Sequence, residues 1–230
     1  MARSALITGG TGGLGAAVTG AFLASGWRVV VPVHDDAERD RLPAHERLVL
    51  EQADLLDPAS AAAVAALAAG DEGAPLGALV NLVGGFASGG RVHETPVEDF
   101  EAQLRLNLRP TYLACQAALP HLLAGGGGAI VCVSSRAALK PFAGAAGYVV
   151  AKAALLALVD VLALEYGDDD VRANAILPSV IDTPANRRAM PDADFERWVR
   201  PEQIAEVVRF LCEPGSAVVS GAHVPVYGRA

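Results

Sequence analysis

This sequence predicts an α/β fold: one doubly wound parallel sheet of about seven strands with helices on both faces. Three observations predict it. Short apolar runs alternate with helix-length apolar runs from end to end. A glycine-rich loop, GGTGGLG at residues 9–15, stands between the first strand and the first helix. No linker, repeat or change of composition divides the chain, so residues 1–230 read as a single domain.

The elements follow in order. SALIT, residues 4–8, is a short apolar strand, and AAVTGAFLASG after the glycine loop is a helix. Strand, glycine loop and helix in that order are the context a dinucleotide fingerprint requires. Gly9 allows the sharp turn, Gly13 lets the backbone approach a pyrophosphate, and Gly15 allows close helix–strand packing. The helix N-terminus presents N–H groups to the phosphates. A P-loop is excluded because no Gly-Lys pair occurs.

RVVVPV, residues 28–33, is the second strand. The acidic residue that selects NAD by binding the ribose 2′-hydroxyl belongs near its end, about 20 residues past the glycines. Val33 stands there, followed by His34, Asp35 and Asp36. His34 suits a 2′-phosphate. Asp35 suits either the ribose hydroxyls or a plain helix cap before AERDRL. The third strand is RLVLEQAD, 47–54, followed by a helix capped by Asp57. GALVNLVGG, 77–85, is a buried fourth strand with Asn81 at its end. A long helix runs from Pro96 through Asn107 and Tyr112 to Leu123, bent near Pro110. AIVCVSS, 129–135, is the fifth strand, a helix covers 145–166, and VRANAILP, 171–178, is the sixth strand. Residues 179–200 form a polar, proline-punctuated lid. A helix over PEQIAEVVRFLCE and a last strand over 217–228 complete the chain.

Composition limits the partners. The chain is 52% hydrophobic and carries a net charge of −8, with no basic block, which argues against nucleic acid and anionic lipid. No apolar run reaches membrane-span length, since Asp160 interrupts ALLALVDVLAL, and the apolar part of MARSALITGG is too short for a signal peptide. Three scattered cysteines suit reduced core thiols, so a cytoplasmic location and no membrane partner are expected. The five histidines show no metal-ligand spacing, and no metal is expected.

The chemistry concentrates in SSRAALKPFAGAAGYVVAK, residues 134–152. Tyr148 and Lys152 are four residues apart, one turn apart on one helix face. Only Lys140 and Lys152 are lysines among 18 basic side chains, which suggests that a compact point charge is wanted at 152. A fixed ammonium would lower the phenol's pKa from about 10, so that Tyr148 exchanges a proton near neutral pH. A hydroxyl from Ser135 would hold the same substrate oxygen. The structural alternative has Tyr148 packing and Lys152 as a solvated charge.

Together these residues resemble the short-chain dehydrogenase/reductase family over essentially the whole chain, which implies a Rossmann-like fold. Thr8-Gly9-x-Thr11-x-Gly13-Leu14-Gly15 resembles its cofactor motif, and Asp54 with Leu55 the adenine contact. Asn81-Leu-Val83-Gly84 resembles its Asn-Asn-Ala-Gly motif with two substitutions. Asn107, Ser135, Tyr148 and Lys152 match its catalytic set, in which the asparagine supports a relay water and the lysine also binds the nicotinamide ribose. Pro178, Ile181 and Thr183 fall in the segment that holds the nicotinamide, with Ser179 where the family usually has glycine. The resemblance implies NAD or NADP as cofactor, a small-molecule substrate and a homodimer or homotetramer built on the long helices. GGFASGG and LPSVIDTPANRRAMPDADFERW are similar to stretches of dihydropteridine reductases, although Ser135 and Val33 depart from that group.

The expected activity is therefore NAD(P)-dependent hydride transfer to or from a carbonyl, hydroxyl or imine-like carbon, with Tyr148 as acid/base. A quinonoid dihydropteridine reductase is the nearer alternative. A catalytically silent dinucleotide-binding regulator would show a damaged catalytic set, and an epimerase or dehydratase would call for a longer C-terminal substrate region.

Overall fold

The computed structural model describes residues 3–229. Its strands are β1 (Ser4–Thr8), β2 (Arg28–Val33), β3 (Leu48–Gln52), β4 (Leu76–Asn81), β5 (Gly128–Val133), β6 (Val171–Pro178) and β7 (His223–Val226). They form one seven-stranded parallel sheet in the order β3-β2-β1-β4-β5-β6-β7. The helices are α1 (Gly15–Ala24), α2 (Pro58–Ala69), α3 (Val97–Asn107), α4 (Arg109–Ala124), α5 (Ala146–Tyr166), α6 (Pro184–Ala189) and α7 (Pro201–Cys212).

Successive strand residues point to opposite faces, so each central strand feeds two cores. Leu6, Val30, Leu79 and Ile130 pack under α2, α4 and α5, against Val64, Leu122 and Val159 among others. Ile7, Val29, Val31, Val80 and Val131 pack under α1 and α7, against Val18, Phe22, Ile204 and Val208. Burial on both faces is why these strands read as near-continuous apolar runs. Trp27 and Trp198 are both buried, Trp27 against Phe22 and Trp198 against Phe195.

Several expected boundaries are corrected, each for a local reason. The fourth strand stops at Asn81 rather than 85, because the Asn107 amide takes both backbone groups of Gly85 (N–H to Oδ1 3.1 Å, Nδ2 to carbonyl 3.0 Å). The last strand covers four residues, not 217–228. Side chains of β6 take the backbone groups before it: Asn174 bonds Val219 and Ala222, and Arg172 bonds Val219. The third strand ends at Gln52, and Asp54 opens a turn instead by accepting from Leu56 N at 2.8 Å. The long helix is two helices hinged at Leu108, since Pro110 has no N–H to continue the ladder. Helix α5, with its continuation to Asp169, is long and apolar enough to cross a membrane, contrary to expectation, because an 18-residue stretch of it keeps a mean hydropathy of 2.0 despite Asp160. In this fold one of its faces is buried, with Lys152, Leu155, Leu156, Val159 and Leu162 on it.

The turn from β1 into α1 is the tightest junction. Gly9 has φ +68°, and a Cβ there would stand 3.0 Å from Val83 N. A Cβ on Gly15 would stand 2.0 Å from the Gly9 carbonyl oxygen. Gly20, on the same helix, is exposed and has nothing near its missing Cβ. The same substitution should therefore act with opposite signs. Gly15→Ala is expected to destabilise by roughly 1–3 kcal/mol through overpacking. Gly20→Ala is expected to stabilise by roughly 0.5–1 kcal/mol through helix propensity. Urea midpoints at constant slope check both, and a stable Gly15→Ala protein would refute the close packing.

Candidate active site

A parallel sheet gathers the C-terminal ends of its strands on one edge, and ligands bind where the strand order reverses. Here that point lies between β1 and β4. Thr8 is buried at the end of β1; its hydroxyl donates to Asn81 Oδ1 (3.4 Å) and accepts from Leu82 N (3.3 Å). The glycine loop follows, with Thr11 and Gly15 buried and Gly13 exposed. A Cβ on Gly13 would meet Thr183 Cγ2 at 2.9 Å, so the loop and the segment after β6 face each other across the cleft. Together with the contact between Gly9 and the Val83 backbone, this leaves a cradle of bare main chain next to the start of α1. Those features fit the pyrophosphate of a dinucleotide.

Lys152 is the centre of the second half of the site. Its side chain is buried, and Nζ donates to the Val133 carbonyl at 3.0 Å. Ser134 Oγ donates to the Lys152 carbonyl at 2.7 Å, which fixes α5 against the end of β5. A Cβ on Gly84 would lie 3.0 Å from Lys152 Nζ and 2.7 Å from Asn107 Oδ1, so only glycine lets these three groups share the space. Asn107 is fully buried, and its Nδ2 also donates to the Gln103 carbonyl at 3.1 Å. Ser135 lies close enough to the Tyr148 phenol to favour its ionised form. Ser135 Oγ also accepts from Ala137 N at 3.1 Å, capping a 3-10 turn. Ser135, Tyr148, Lys152, Asn107 and Gly84 thus form one connected cluster.

The electrostatics correct one expectation. Lys152 does not lower the Tyr148 pKa in this arrangement. Burial raises the phenol above its ordinary 10, and only the neighbouring Ser135 acts the other way. The ammonium is turned to Val133 and sits 5.9 Å from the centre of the Tyr148 ring. Its own pKa is pulled down to about 8 by burial. Desolvation therefore governs both groups.

Other expected site residues fall into two sets. Pro178 closes β6, and Ile181 bridges to Val199 and accepts from Asn186 Nδ2 at 2.8 Å. Thr183 Oγ1 accepts from Asn186 N at 3.2 Å and so also caps α6. Leu14 and Leu55 are half-buried. Asn81, by contrast, turns inward: its amide faces Cys115 Sγ (3.4 Å) and Cys132 Sγ (3.7 Å), so its side chain braces the sheet. Asp35 is a cap, accepting from Ala37 N at 3.0 Å, and His34 contributes a backbone N–H to Glu38.

Sequence reasoning missed Glu38 and the aromatic pair Phe86 and Phe142. Phe86 meets Tyr148 edge-on at 5.1 Å, and Phe142 lies 6.1 Å from Phe86. The signal for the pair was two phenylalanines in a chain with only 5% aromatics, one inside the Ser135–Lys152 stretch and one just after Gly84-Gly85. Glu38 had no signal beyond its position four residues past His34.

Comparison with known proteins agrees with this geometry. A family model described as enoyl-(acyl carrier protein) reductase matches residues 9–228. The 2-(R)-hydroxypropyl-CoM dehydrogenase of Xanthobacter autotrophicus is 32% identical, with 99% of this chain and 98% of that protein covered. The cis-4-hydroxycyclohexanecarboxylate dehydrogenase of Sinomonas cyclohexanicum is also 32% identical, with 98% and 95% covered. Among solved structures, ElxO with NADP bound superposes with a TM-score of 0.91 at 25% identity, covering 99% of this chain and 98% of that one. With the glycine cradle at β1 and the Ser135–Tyr148–Lys152 cluster at β5, these likenesses place the chain in the short-chain dehydrogenase/reductase family, as an NAD(P)-dependent oxidoreductase.

Proposed function

We propose that the protein interconverts a secondary alcohol and a carbonyl on a small molecule, with Tyr148 handling the proton. The observation that carries this is the gathering of Ser135, Tyr148 and the buried Lys152 at the end of β5, with Lys152 Nζ 5.9 Å from the centre of the Tyr148 ring. The nicotinamide supplies or accepts the hydride. Ser135 holds the substrate oxygen, and Tyr148 gives it a proton during reduction. Burial keeps the phenol protonated at neutral pH, which suits the reducing direction. In the oxidising direction the phenol must first lose its proton, so that rate rises towards alkaline pH. Asn107 holds the loop after β4 in place and orders the relay water. Thr11, Gly13, Leu14 and Gly15 take the pyrophosphate, Asp54 and Leu55 the adenine, and Val83 and Gly84 the adjoining ribose. Pro178, Ile181 and Thr183 position the nicotinamide, and Lys152 binds its ribose. Dehydrogenases of hydroxylated small molecules among the relatives support this class of substrate.

A second reading takes a planar, pterin-like ring as substrate. The exposed Phe86, edge-on to Tyr148, and the exposed Phe142 favour it, since together they offer an aromatic wall at the proton donor. Assay of quinonoid dihydropterin beside a panel of ketones separates the two readings by which substrate is turned over.

A surface shared by three helices favours a homodimer or homotetramer. Leu104, Leu108, Tyr112, Ala154 and Leu158 line a shallow groove across α3, α4 and α5, and Tyr112 is half exposed on it. Tyr112→Glu is expected to shift the protein to monomers in sedimentation velocity; an unchanged sedimentation coefficient would discard this face as the interface.

Tyr148→Phe should lower kcat/KM about 10²–10⁴-fold while cofactor affinity holds. Turnover at the wild-type rate would remove Tyr148 from the mechanism. Lys152→Met should also lose turnover yet gain stability at pH 7 by roughly 1–3 kcal/mol, because the native state then buries no ammonium. The sign follows from linkage: with a folded pKa of about 8 against an ordinary 10.5, the unfolded chain holds the extra proton between those values. Wild-type stability from this group therefore rises from about pH 8 to 10.5, and the advantage of Lys152→Met should shrink over that window. Urea melts at pH 7 and pH 10 check it; an advantage that does not shrink would mean the buried charge is not the cause.

A further inference from the structure

We propose that Glu38 reads the adenosine ribose and turns the site towards NAD(H) and against NADP(H). The inference rests on NAD(P) binding by this chain and on no role assigned to Tyr148. The end of β2 carries Val33, which is fully buried and offers the ribose nothing. The carboxylate missing there is brought back by the chain's next turn. Residues 36–41 wind into a 3-10 helix that carries Glu38 back over the strand end. Its Oε2 accepts from the Thr11 hydroxyl at 3.1 Å and from the His34 backbone N–H at 3.3 Å. Thr11 belongs to the glycine loop and His34 is the first residue past β2. One carboxylate oxygen therefore bridges the phosphate-binding loop and the strand terminus between which an adenosine ribose lies.

The surrounding groups sharpen the assignment. Asp35 is committed to Ala37 N, and Asp36 to Arg39 Nε at 2.9 Å. Asp54 is committed to Leu56 N. Glu38 is the carboxylate bonded to the glycine loop, and its side chain is 23% exposed. The nearby cations are engaged as well: Arg39 Nη1 donates to the Leu50 carbonyl at 2.5 Å, and Arg41 Nη1 pairs with Glu38 Oε1 at 3.4 Å. A ribose with free hydroxyls can donate to Glu38 in place of Thr11. A 2′-phosphate would instead meet the Glu38 carboxylate at close range and would have to draw Arg41 away from it to be compensated.

The test measures binding rather than turnover. Dissociation constants for NADH and NADPH are taken from nicotinamide fluorescence for wild type, Glu38→Gln, Glu38→Ala and Asp35→Asn, with thermal melting to confirm folding. The wild type should bind NADH at least about tenfold more tightly than NADPH. Glu38→Gln and Glu38→Ala should bring the two within about threefold, mainly by tightening NADPH, and Asp35→Asn should keep the wild-type ratio. A wild type that binds NADPH as tightly as NADH overturns the proposal, whether or not the variants fold. So does a Glu38→Gln protein with an unchanged ratio, or an Asp35→Asn protein whose ratio collapses equally.

Discussion

The buried ammonium of Lys152 is the constraint around which this molecule is arranged. A charge taken out of water is costly unless the surroundings are shaped to hold it. Here the shaping comes from four elements. β5 ends in the Val133 carbonyl that accepts from Nζ, and Ser134 holds the lysine's own carbonyl. The loop after β4 contributes Gly84, whose missing side chain is the space the ammonium and Asn107 share. α3 contributes Asn107, which locks the following Gly85 through both backbone groups. None of these contacts is local in sequence. The charge can be held only when β4, β5, α3 and α5 are all in place, so the fold and the site form together.

The same logic explains the division between main-chain and side-chain recognition. At β1 the chain withdraws its side chains: Gly9, Gly13 and Gly15 each lie where a Cβ would strike backbone or Thr183. At β5 it does the opposite and crowds in Ser135, Tyr148 and Lys152. Main-chain N–H groups suit phosphates, which look alike in every dinucleotide. Titratable side chains are reserved for the position where a proton has to move. The single parallel sheet brings the two regions to one edge because all its strands end on the same side.

Legibility in the sequence followed this division. The glycine loop and the Tyr148–Lys152 pair were readable because each is a short-range pattern: a strand, a turn and a helix in one case, and one helical turn in the other. Strand interiors were readable from apolar runs, and the β6 boundaries, 171–178, agreed in full. Errors came where a side chain distant in sequence captures backbone. Asn107 ends β4, and Arg172 with Asn174 consumes most of the expected last strand. Glu38 was hidden for a related reason: its role depends on a 3-10 turn that folds back on Thr11, 27 residues earlier in the chain. The Tyr148 pKa was misjudged because spacing shows that Lys152 is near but not that its ammonium turns to Val133.

Proximity of an ammonium to a phenol lowers the phenol's pKa only where the two face each other; here both groups are buried, and desolvation disfavours the charged form of each. Desolvation makes the phenolate–ammonium pair costly here, and it leaves a neutral phenol beside a lysine whose pKa is about 8. On the proposed role of Tyr148, such a site gives a proton more readily than it takes one. Ser135 is the neighbour that opposes desolvation at the phenol. Were Tyr148 to take a proton, as the proposed oxidising direction requires, Lys152 would have to turn from the Val133 carbonyl towards the phenol, or the medium become alkaline. On that proposal, where one ammonium points bears on the direction of the reaction.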